Sequence, residues 1–319
     1  DAGGDAAAAP DAAVAAAVQP VRPLAARRFV DSFLQPEEAA EMDRCVGELQ
    51  KLVTEGLGAH CSVEQFGSAA SGFGTSGADL DVTLVWDGSY EECDAATAVQ
   101  DLQLLSPALV KHPQFVVIRE IYGAKVPILK LRYDARLDVD VSYHNLKALR
   151  NTRLLNAYAM LSPALRGVVV AIKLWAKAIG VCGAAERNLS SYTFTLMAIY
   201  YMQLHPEVRL PCLPVHAFEF DDSLGWRDPR VQKARMSWRP PSLTLCQLVS
   251  GFFHFYAKEF EWGVEVVSVR IGRRKSAAMP DFDGLSHHHA NRLHVEDPLD
   301  TSRNLHCVLA ADREKALLT

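Results

Sequence analysis

Residues Phe66–Val85 read FGSAASGFGTSGADLDVTLV, and the fold turns on how this stretch is parsed. Gly67-Ser68 is followed after ten residues by Asp79-Leu80-Asp81. The loop between them holds Gly72, Gly74 and Gly77. Glycines adopt backbone conformations closed to other residues, and such a turn can aim backbone N–H groups at phosphate oxygens. Asp79 to Val85 reads as a strand, in which alternation puts Asp79 and Asp81 on one face and Leu80 and Val82 on the other. Adjacent carboxylates repel unless a cation lies between them, and hard divalent ions such as Mg²⁺ take carboxylate oxygens together with substrate phosphates. The stretch therefore implies a metal-dependent phosphoryl or nucleotidyl transfer site. Its plainer alternative is a hairpin with an acidic, solvated face.

A chain of 319 residues can build two domains around sizeable cores. Its hydrophobic share of 49% and charged share of 22% are those of a soluble globular protein. The formal charge of −5 means that any nucleic-acid contact has to come from a local basic patch. The seven cysteines form no C-x-x-C pair, which argues against a zinc ribbon or disulfide framework and for a reducing compartment. No charge-free apolar run reaches the length of about 18 residues that a membrane span needs, so none is expected. The Ala-rich residues 1–20 lack the basic start of a signal peptide and read as a poorly ordered tail. A start at Asp1 rather than Met is what a processed or trimmed chain would show.

Along the chain, Pro36-Glu37-Glu38 opens a helix that Gly56 and Gly58 end. Cys61–Phe66 reads as a short strand into the Gly-Ser turn, and Tyr90–Leu105 as a helix. Phe115–Ile118 and Val126–Leu131 read as strands, with Pro127 confined to a strand start or edge. Leu137–Tyr143 is a further strand with Asp138 and Asp140 on one face, and it offers a third carboxylate; alternation alone cannot choose between the two. From about residue 147 the pattern is helical. Ser162-Pro163 opens a helix through Val181, on which Lys173 and Lys177 lie one turn apart. Two converging ammonium groups suit a polyphosphate; the alternative is a solvated face backed by Val168, Val169, Ile172 and Trp175. Ser190-Ser191-Tyr192 opens the next helix, through Leu204. Residues 205–241, with six prolines and no periodicity, read as an excursion. Leu245, Leu248, Phe252, Phe255 and Tyr256 make an apolar helix face for the core, and Val264–Val269 a final strand. Arg270–Lys275 is a candidate RNA contact that more often proves to be a solvated loop. His287, His288 and His289 are adjacent on a loop, a placement that rarely yields metal geometry.

Taken in order, Gly67-Ser68, Asp79-Leu80-Asp81, Asp140, Lys173 with Lys177, Ser191-Tyr192 and Glu296-Asp297-Pro298 resemble the polymerase-β-like nucleotidyltransferases. Within them the chain resembles the noncanonical poly(A) polymerases and terminal uridylyltransferases, over about residues 30 to 310. It is most similar to the small trypanosomatid terminal uridylyltransferases, including the mitochondrial editosome-like-complex-associated type. The helix Phe252–Tyr256 and the strand Val266–Val269 resemble that group's associated domain. The resemblance implies that Asp79, Asp81 and Asp140 are catalytic and hold two Mg²⁺ ions, with Mn²⁺ as a substitute. It favours Asp140 over Asp138 because Asp140 lies eleven residues before Asn151. It further implies that UTP is bound by Gly67, Ser68, the ribose-contacting Asn151 and Thr152, the triphosphate ligands Lys173 and Lys177, Ser191, and Tyr192 as a platform under uracil. Asp297 and Asp300 would read the uracil edge through water. Asp300 stands where a close relative carries Glu, and the Arg that often follows the Glu-Asp-Pro motif is replaced by Cys307.

The expected fold is α/β: a mixed-sheet catalytic domain over 31–150 and a mostly helical nucleotide-recognition domain over 151–319, with the active site in the cleft between them. The tail 1–30 is expected to wrap the second domain, with 20–45 packing there. The expected activity is template-independent transfer of UMP from UTP to the 3′-hydroxyl of single-stranded RNA. The rivals are a poly(A) polymerase using ATP and an inactive RNA-binding scaffold. The resemblance also implies a mitochondrial location and an RNA-editing complex as partner.

Overall fold

The computed structural model describes residues 23–88, 94–124, 126–184, 186–219, 222–285 and 293–318. The chain divides into two compact units. One spans Asp31–Asn156; the other takes Ala157 onward together with the segment up to Val30. Helix α1 (Pro23–Val30) belongs to the latter.

In the Asp31–Asn156 unit, α2 (Pro36–Leu57) starts where Pro36 needs no N–H partner and where the Glu38 carboxylate accepts from the Gln35 amide at 2.8 Å. The strand β1 (Cys61–Phe66) leads into a single helical turn, α3 (Gly67–Ala70), and then β2 (Leu80–Trp86). Helix α4 (Ala95–Lys111) is capped by the Asp94 carboxylate, which accepts from the amides of Ala96 and Thr97. The strands β3 (Phe115–Ile121), β4 (Ile128–Tyr133) and β5 (Leu137–Tyr143) follow, and α5 (Leu146–Leu161) carries this unit's last residues.

The five strands form a mixed sheet in the order β1-β2-β5-β4-β3, with β2 and β5 parallel and the other pairs antiparallel. Alternation sends Leu80, Val82, Leu84, Val139 and Val141 into one core with Met42, Cys45, Leu49 and Val53 of α2 and Leu102, Leu105 and Leu109 of α4. A one-residue slip would turn all of these outward. Packing of the apolar set thus also fixes which residues occupy the opposite face, and Asp81 and Asp140 are among them.

In the second unit, α6 (Pro163–Ala178) is capped by the Ser162 hydroxyl, which accepts from the Leu165 amide at 3.2 Å. Ser190 caps α7 (Ser191–Leu204) in the same way. Next come α8 (Asp222–Arg227), α9 (Pro229–Ser237) and α10 (Leu245–His254), the last running into one π-helical turn, Phe255–Glu259. The strands β6 (Val266–Val267), β7 (His294–Asp297) and β8 (Asp300–Asn304) make a small sheet, and α11 (Ala311–Leu318) closes the described chain. Leu245, Leu248, Phe252, Phe255 and Tyr256 are all buried, as their spacing predicts.

Three sequence readings need correcting. The helix expected from Tyr90 begins at Ala95, because Asp94 supplies its cap; Tyr90–Cys93 lie outside the described residues. The excursion over 205–241 contains α8 and α9, short helices whose polar faces hide the period. The strand expected over Val264–Val269 contracts to Val266–Val267 and is not final: β7 pairs parallel to it and β8 antiparallel to β7. The His287–His289 triplet lies outside the described residues.

Candidate active site

The sheet places the acids by register. Asp81 is the Cα partner of Asp140 across the parallel β2/β5 pair, and Asp79 stands just ahead of β2, exposed. Asp138 lies two residues back along β5, before the β2 pairing starts at Leu80 and Val139. Both β5 acids meet a cation on β4. Lys130 Nζ donates to both oxygens of Asp140, at 2.8 and 2.7 Å, and Arg132 Nε to Asp138 Oδ1 at 2.7 Å. Neither lysine nor arginine was singled out from sequence. A signal existed: KLRYDARLDVD mirrors two cations and two acids about Ala135, which is how an antiparallel hairpin sets opposite charges across from each other.

Among the described residues, no group of three His, Cys, Asp or Glu side chains converges closely enough to hold a metal ion as it stands. The donor set nevertheless suits a hard divalent cation, because carboxylates at neighbouring register positions need a positive charge beside them. Lys130 supplies that charge to Asp140 here.

Gly67 is fixed by two demands. Its φ of +78° is costly for other residues, and a Cβ built there would lie 2.2 Å from Asp81 Oδ2. The glycine lets the Asp81 carboxylate rest against the turn. Helix α5 clamps that turn at both ends. Thr152 Oγ1 accepts from the Gly67 amide at 2.9 Å and donates to the Ala148 carbonyl at 2.8 Å, while Asn156 Nδ2 donates to the Ala70 carbonyl at 3.1 Å. Thr152 is therefore a brace for the turn, and Asn156, one helical turn on, is a second brace missed in the sequence. Ser68 on α3 and Asn151 on α5 are half-buried. The glycine-rich loop does not act as an anion nest along its length. Its amides at Gly72, Phe73, Ser76 and Ala78 donate to nearby carbonyls, and that of Gly77 to Glu38 Oε1.

The second unit holds the remaining candidates. Lys173 is buried, at 3% exposure, whereas Lys177 is exposed. The Cys182 thiol is pushed up by burial, and the charges of Lys177 and Lys173 both oppose that shift, so the two ammonium groups act on one neighbourhood. Trp175 packs edge-on against Phe194 and Phe253 behind them. Ser191 and Tyr192 open α7, half-buried.

Tyr192 and Asp297, distant in sequence, are brought together. The Tyr192 hydroxyl donates to Asp297 Oδ1 at 3.4 Å. Burial raises the Asp297 carboxyl above the ordinary carboxylate range, against the Leu299 amide, which donates to Oδ1 at 3.1 Å, and against Arg303, 3.5 Å from Oδ2. The same burial, and then the Asp297 charge, push the Tyr192 phenol well up, so it keeps its proton as a donor. An arginine thus does follow the Glu-Asp-Pro motif, at Arg303 on β8, although Cys307 stands where one was expected. Asp297 and Asp300 face each other across the two-residue turn of the β7/β8 hairpin, and Asp300 Oδ1 accepts from Ser302 Oγ at 2.7 Å.

Glu296 does structural work. Its buried carboxylate takes Arg270 in a fork, at 2.6 and 3.3 Å, together with the Ser268 hydroxyl. Arg274 pairs with Glu265 and Lys275 with Asp281. Three of the four cations of the run Arg270–Lys275 are therefore paired with acids within the unit, while Arg273 is exposed with no acidic partner among the described residues.

Two family models match the chain: "Poly(A) RNA polymerase, mitochondrial-like, central palm domain" over residues 26–160, and "Cid1 family poly A polymerase" over residues 244–303. The poly(A) RNA polymerase GLD2-A of Xenopus laevis is 33% identical over 273 residues, covering 83% of this chain and 52% of the relative. Terminal uridylyltransferase 4 of Homo sapiens is 28% identical over 297 residues, covering 88% of this chain and 18% of the relative. The chain thus spans about half of the first relative and under a fifth of the second. In fold it matches the Cid1 structure solved for its RNA terminal uridylyl transferase activity, with a TM-score of 0.74 at 22% identity over 92% of this chain and 88% of that one. A cytoplasmic RNA terminal U-transferase gives 0.71 at 22% identity, with the same coverage of 92% and 88%.

Proposed function

From a chain that belongs to the noncanonical poly(A)/poly(U) polymerase superfamily of nucleotidyltransferases acting on RNA, we propose a template-independent RNA 3′-terminal uridylyltransferase. The observation that carries transfer is the register pairing of Asp81 with Asp140 beside the Gly67-Ser68 turn. Asp79, Asp81 and Asp140 are the residues that would hold divalent metal. Bound there, Mg²⁺ would activate the RNA 3′-hydroxyl and stabilise the departing pyrophosphate. The bond from the 3′ oxygen to the α-phosphorus forms as that to pyrophosphate breaks, and the hydroxyl proton passes to solvent. Lys130 neutralises Asp140 until a stronger cation takes its carboxylate. Thr152 and Asn156 hold the Gly67-Ser68 turn against the acids. Lys173 and Lys177 serve the β- and γ-phosphates, and the reading requires that they and the acids serve one nucleotide.

Uridylyl choice rests on Tyr192 and Asp297. Uracil N3 carries a proton and cytosine N3 does not, so a buried carboxylate, directly or through an ordered water, satisfies only uracil. Asp297 is such a group, 2% exposed and aligned by Arg303 and the Leu299 amide. The unsatisfied alternative costs about 1–3 kcal/mol, roughly ten- to hundredfold in selectivity. ATP use is the second reading, favoured by the palm-domain match and the GLD2-type relatives. We extend the proposal to a mitochondrial setting with an editing-complex partner, on the resemblance to small trypanosomatid enzymes; cell fractionation and co-purification test it.

Extension of a single-stranded RNA by the purified protein with Mg²⁺ and each of the four nucleoside triphosphates tests the reading. Preferential uridylate addition supports it. Preferred adenylate addition moves the protein to the second reading, and no addition of any nucleotide refutes transfer.

A further inference from the structure

With three of the four cations of Arg270–Lys275 paired to acids, the denser group of exposed cations lies elsewhere. From Asp222 to Pro241, across α8 and α9, five cations accompany two acids: Arg227, Arg230, Lys233, Arg235 and Arg239 against Asp222 and Asp228. All five are exposed, in a chain whose formal charge is −5. Asp228 is committed to Arg230, at 2.8 Å, and that pairing pulls its carboxyl down to about 2, so it stays charged at any working pH. Arg230 also meets His216. That leaves Arg227, Lys233, Arg235 and Arg239 with no acidic partner among the described residues. Arg239 donates to the Met236 and Trp238 carbonyls. Arg235 lies 5.4 Å over the centre of the Trp226 ring.

The segment is anchored lightly. Val231 is buried, and Trp238 Nε1 donates to the Val208 carbonyl at 2.9 Å, but Met236 is 74% exposed. Like charges on one segment repel one another, and among the described residues no acid pairs with these four. A polyanion would. Cations interleaved with an aromatic ring, one of them stacked on it, are the combination that takes single-stranded nucleic acid: the charges follow the backbone and the ring receives a base.

We propose that the α8–α9 segment is a docking surface for the body of the single-stranded RNA acceptor, separate in sequence from the residues that act on its 3′ end. The inference rests on the RNA-directed reading above. It gives an acidic protein a way to hold its substrate through one local patch.

The test compares the wild type with an Arg227→Ala, Lys233→Ala, Arg239→Ala triple variant and a charge-keeping Arg227→Lys, Lys233→Arg, Arg239→Lys triple variant. Affinity for a fluorescent single-stranded RNA is measured by anisotropy across a salt series. Each cation lost should lower the log–log salt slope by about 0.7, so the alanine triple should fall by about 2 in slope and by about tenfold or more in affinity at low salt. The charge-keeping triple should bind as the wild type does. Nucleotide addition to a dinucleotide primer, which has no RNA body to dock, should be unchanged in all three proteins. Unchanged affinity and slope in the alanine triple would overturn the proposal, as would an equal loss in the charge-keeping triple. Displacement of RNA by polyglutamate at equal charge concentration would overturn the RNA assignment in favour of an acidic protein. If no protein adds a nucleotide, the transfer reading fails, and the binding comparison still decides the docking surface.

Discussion

The acids of the two units live under opposite conditions. Asp81 and Asp140 sit half-exposed on one face of a sheet with Asp79 exposed just ahead of it, whereas Glu296 and Asp297 are buried at 1% and 2% exposure in a short hairpin. A carboxylate near water can exchange a lysine for a metal ion. A buried one must be matched by donors, and Glu296 has Arg270 and Ser268 for this purpose. Asp297 is held more loosely, by the Leu299 and Asp300 amides, a tyrosine hydroxyl at 3.4 Å and a guanidinium at 3.5 Å. Its remaining acceptor capacity is what makes it a discriminating group, because an incorrect base leaves it worse paired than a correct one.

The largest effect expected from this contrast is on the β5 acids. Asp140→Asn should lower turnover by about 10²-fold or more, the scale of losing an electrostatic stabiliser of the transition state. Asp138→Asn, which removes an exposed pair with Arg132, should leave turnover near that of the wild type. Steady-state rates in the two variants check this, and the reverse ranking would transfer the metal role to Asp138.

A second, smaller effect separates glycines of similar backbone. Gly67 and Gly77 both have positive φ, +78° and +70°, but only at Gly67 would a Cβ meet a carboxylate; at Gly77 nothing lies within 4 Å. Gly77→Ala should therefore cost only the backbone penalty of about 1–2 kcal/mol, read as a lowered melting midpoint. Gly67→Ala should show the same loss of stability plus a fall in turnover, because Asp81 has to move. Equal activity in both variants would detach the turn from the acids.

The smallest effect is a pH dependence. The Asp297 carboxyl is raised by burial, so its ionised form is present above that raised value and is lost as pH falls through it. The UTP/CTP ratio of kcat/KM should be constant at neutral pH and fall on acidification, from a higher pH than an ordinary carboxylate would give. Arg303→Ala removes one of the influences that lower the carboxyl, so the fall should begin at a still higher pH. A ratio independent of pH and of Arg303 would mean that Asp297 only braces the Pro298 turn.

The first unit was more legible in the sequence than the second, and the reasons are physical. Leu137–Tyr143 alternates throughout and Cys61–Phe66 over its first four residues, and the predicted bounds of both match the strands. Lys130 escaped notice because pairing across a hairpin depends on register, which reading one strand at a time does not supply. In the second unit, β7 and β8 pair through the polar residues Glu296, Asp297, Asp300 and Asn304, so they lack the apolar alternation that announces a strand. Their stability comes from Glu296 with Arg270 and from Asn304, whose side chain accepts from the Val295 and His306 amides. Contacts between residues far apart in sequence, such as Tyr192 with Asp297 or Thr152 with Gly67, leave no local pattern to read.

The most direct measurement is the turnover of UTP on single-stranded RNA by purified Asp81→Ala protein whose melting curve matches the wild type. The register of β2 and β5 and the close approach of Asp81 to Gly67 predict that transfer falls by about 10²-fold or more with the fold intact. A folded Asp81→Ala protein that adds uridylate at nearly the wild-type rate would contradict the assignment of these acids to the chemistry.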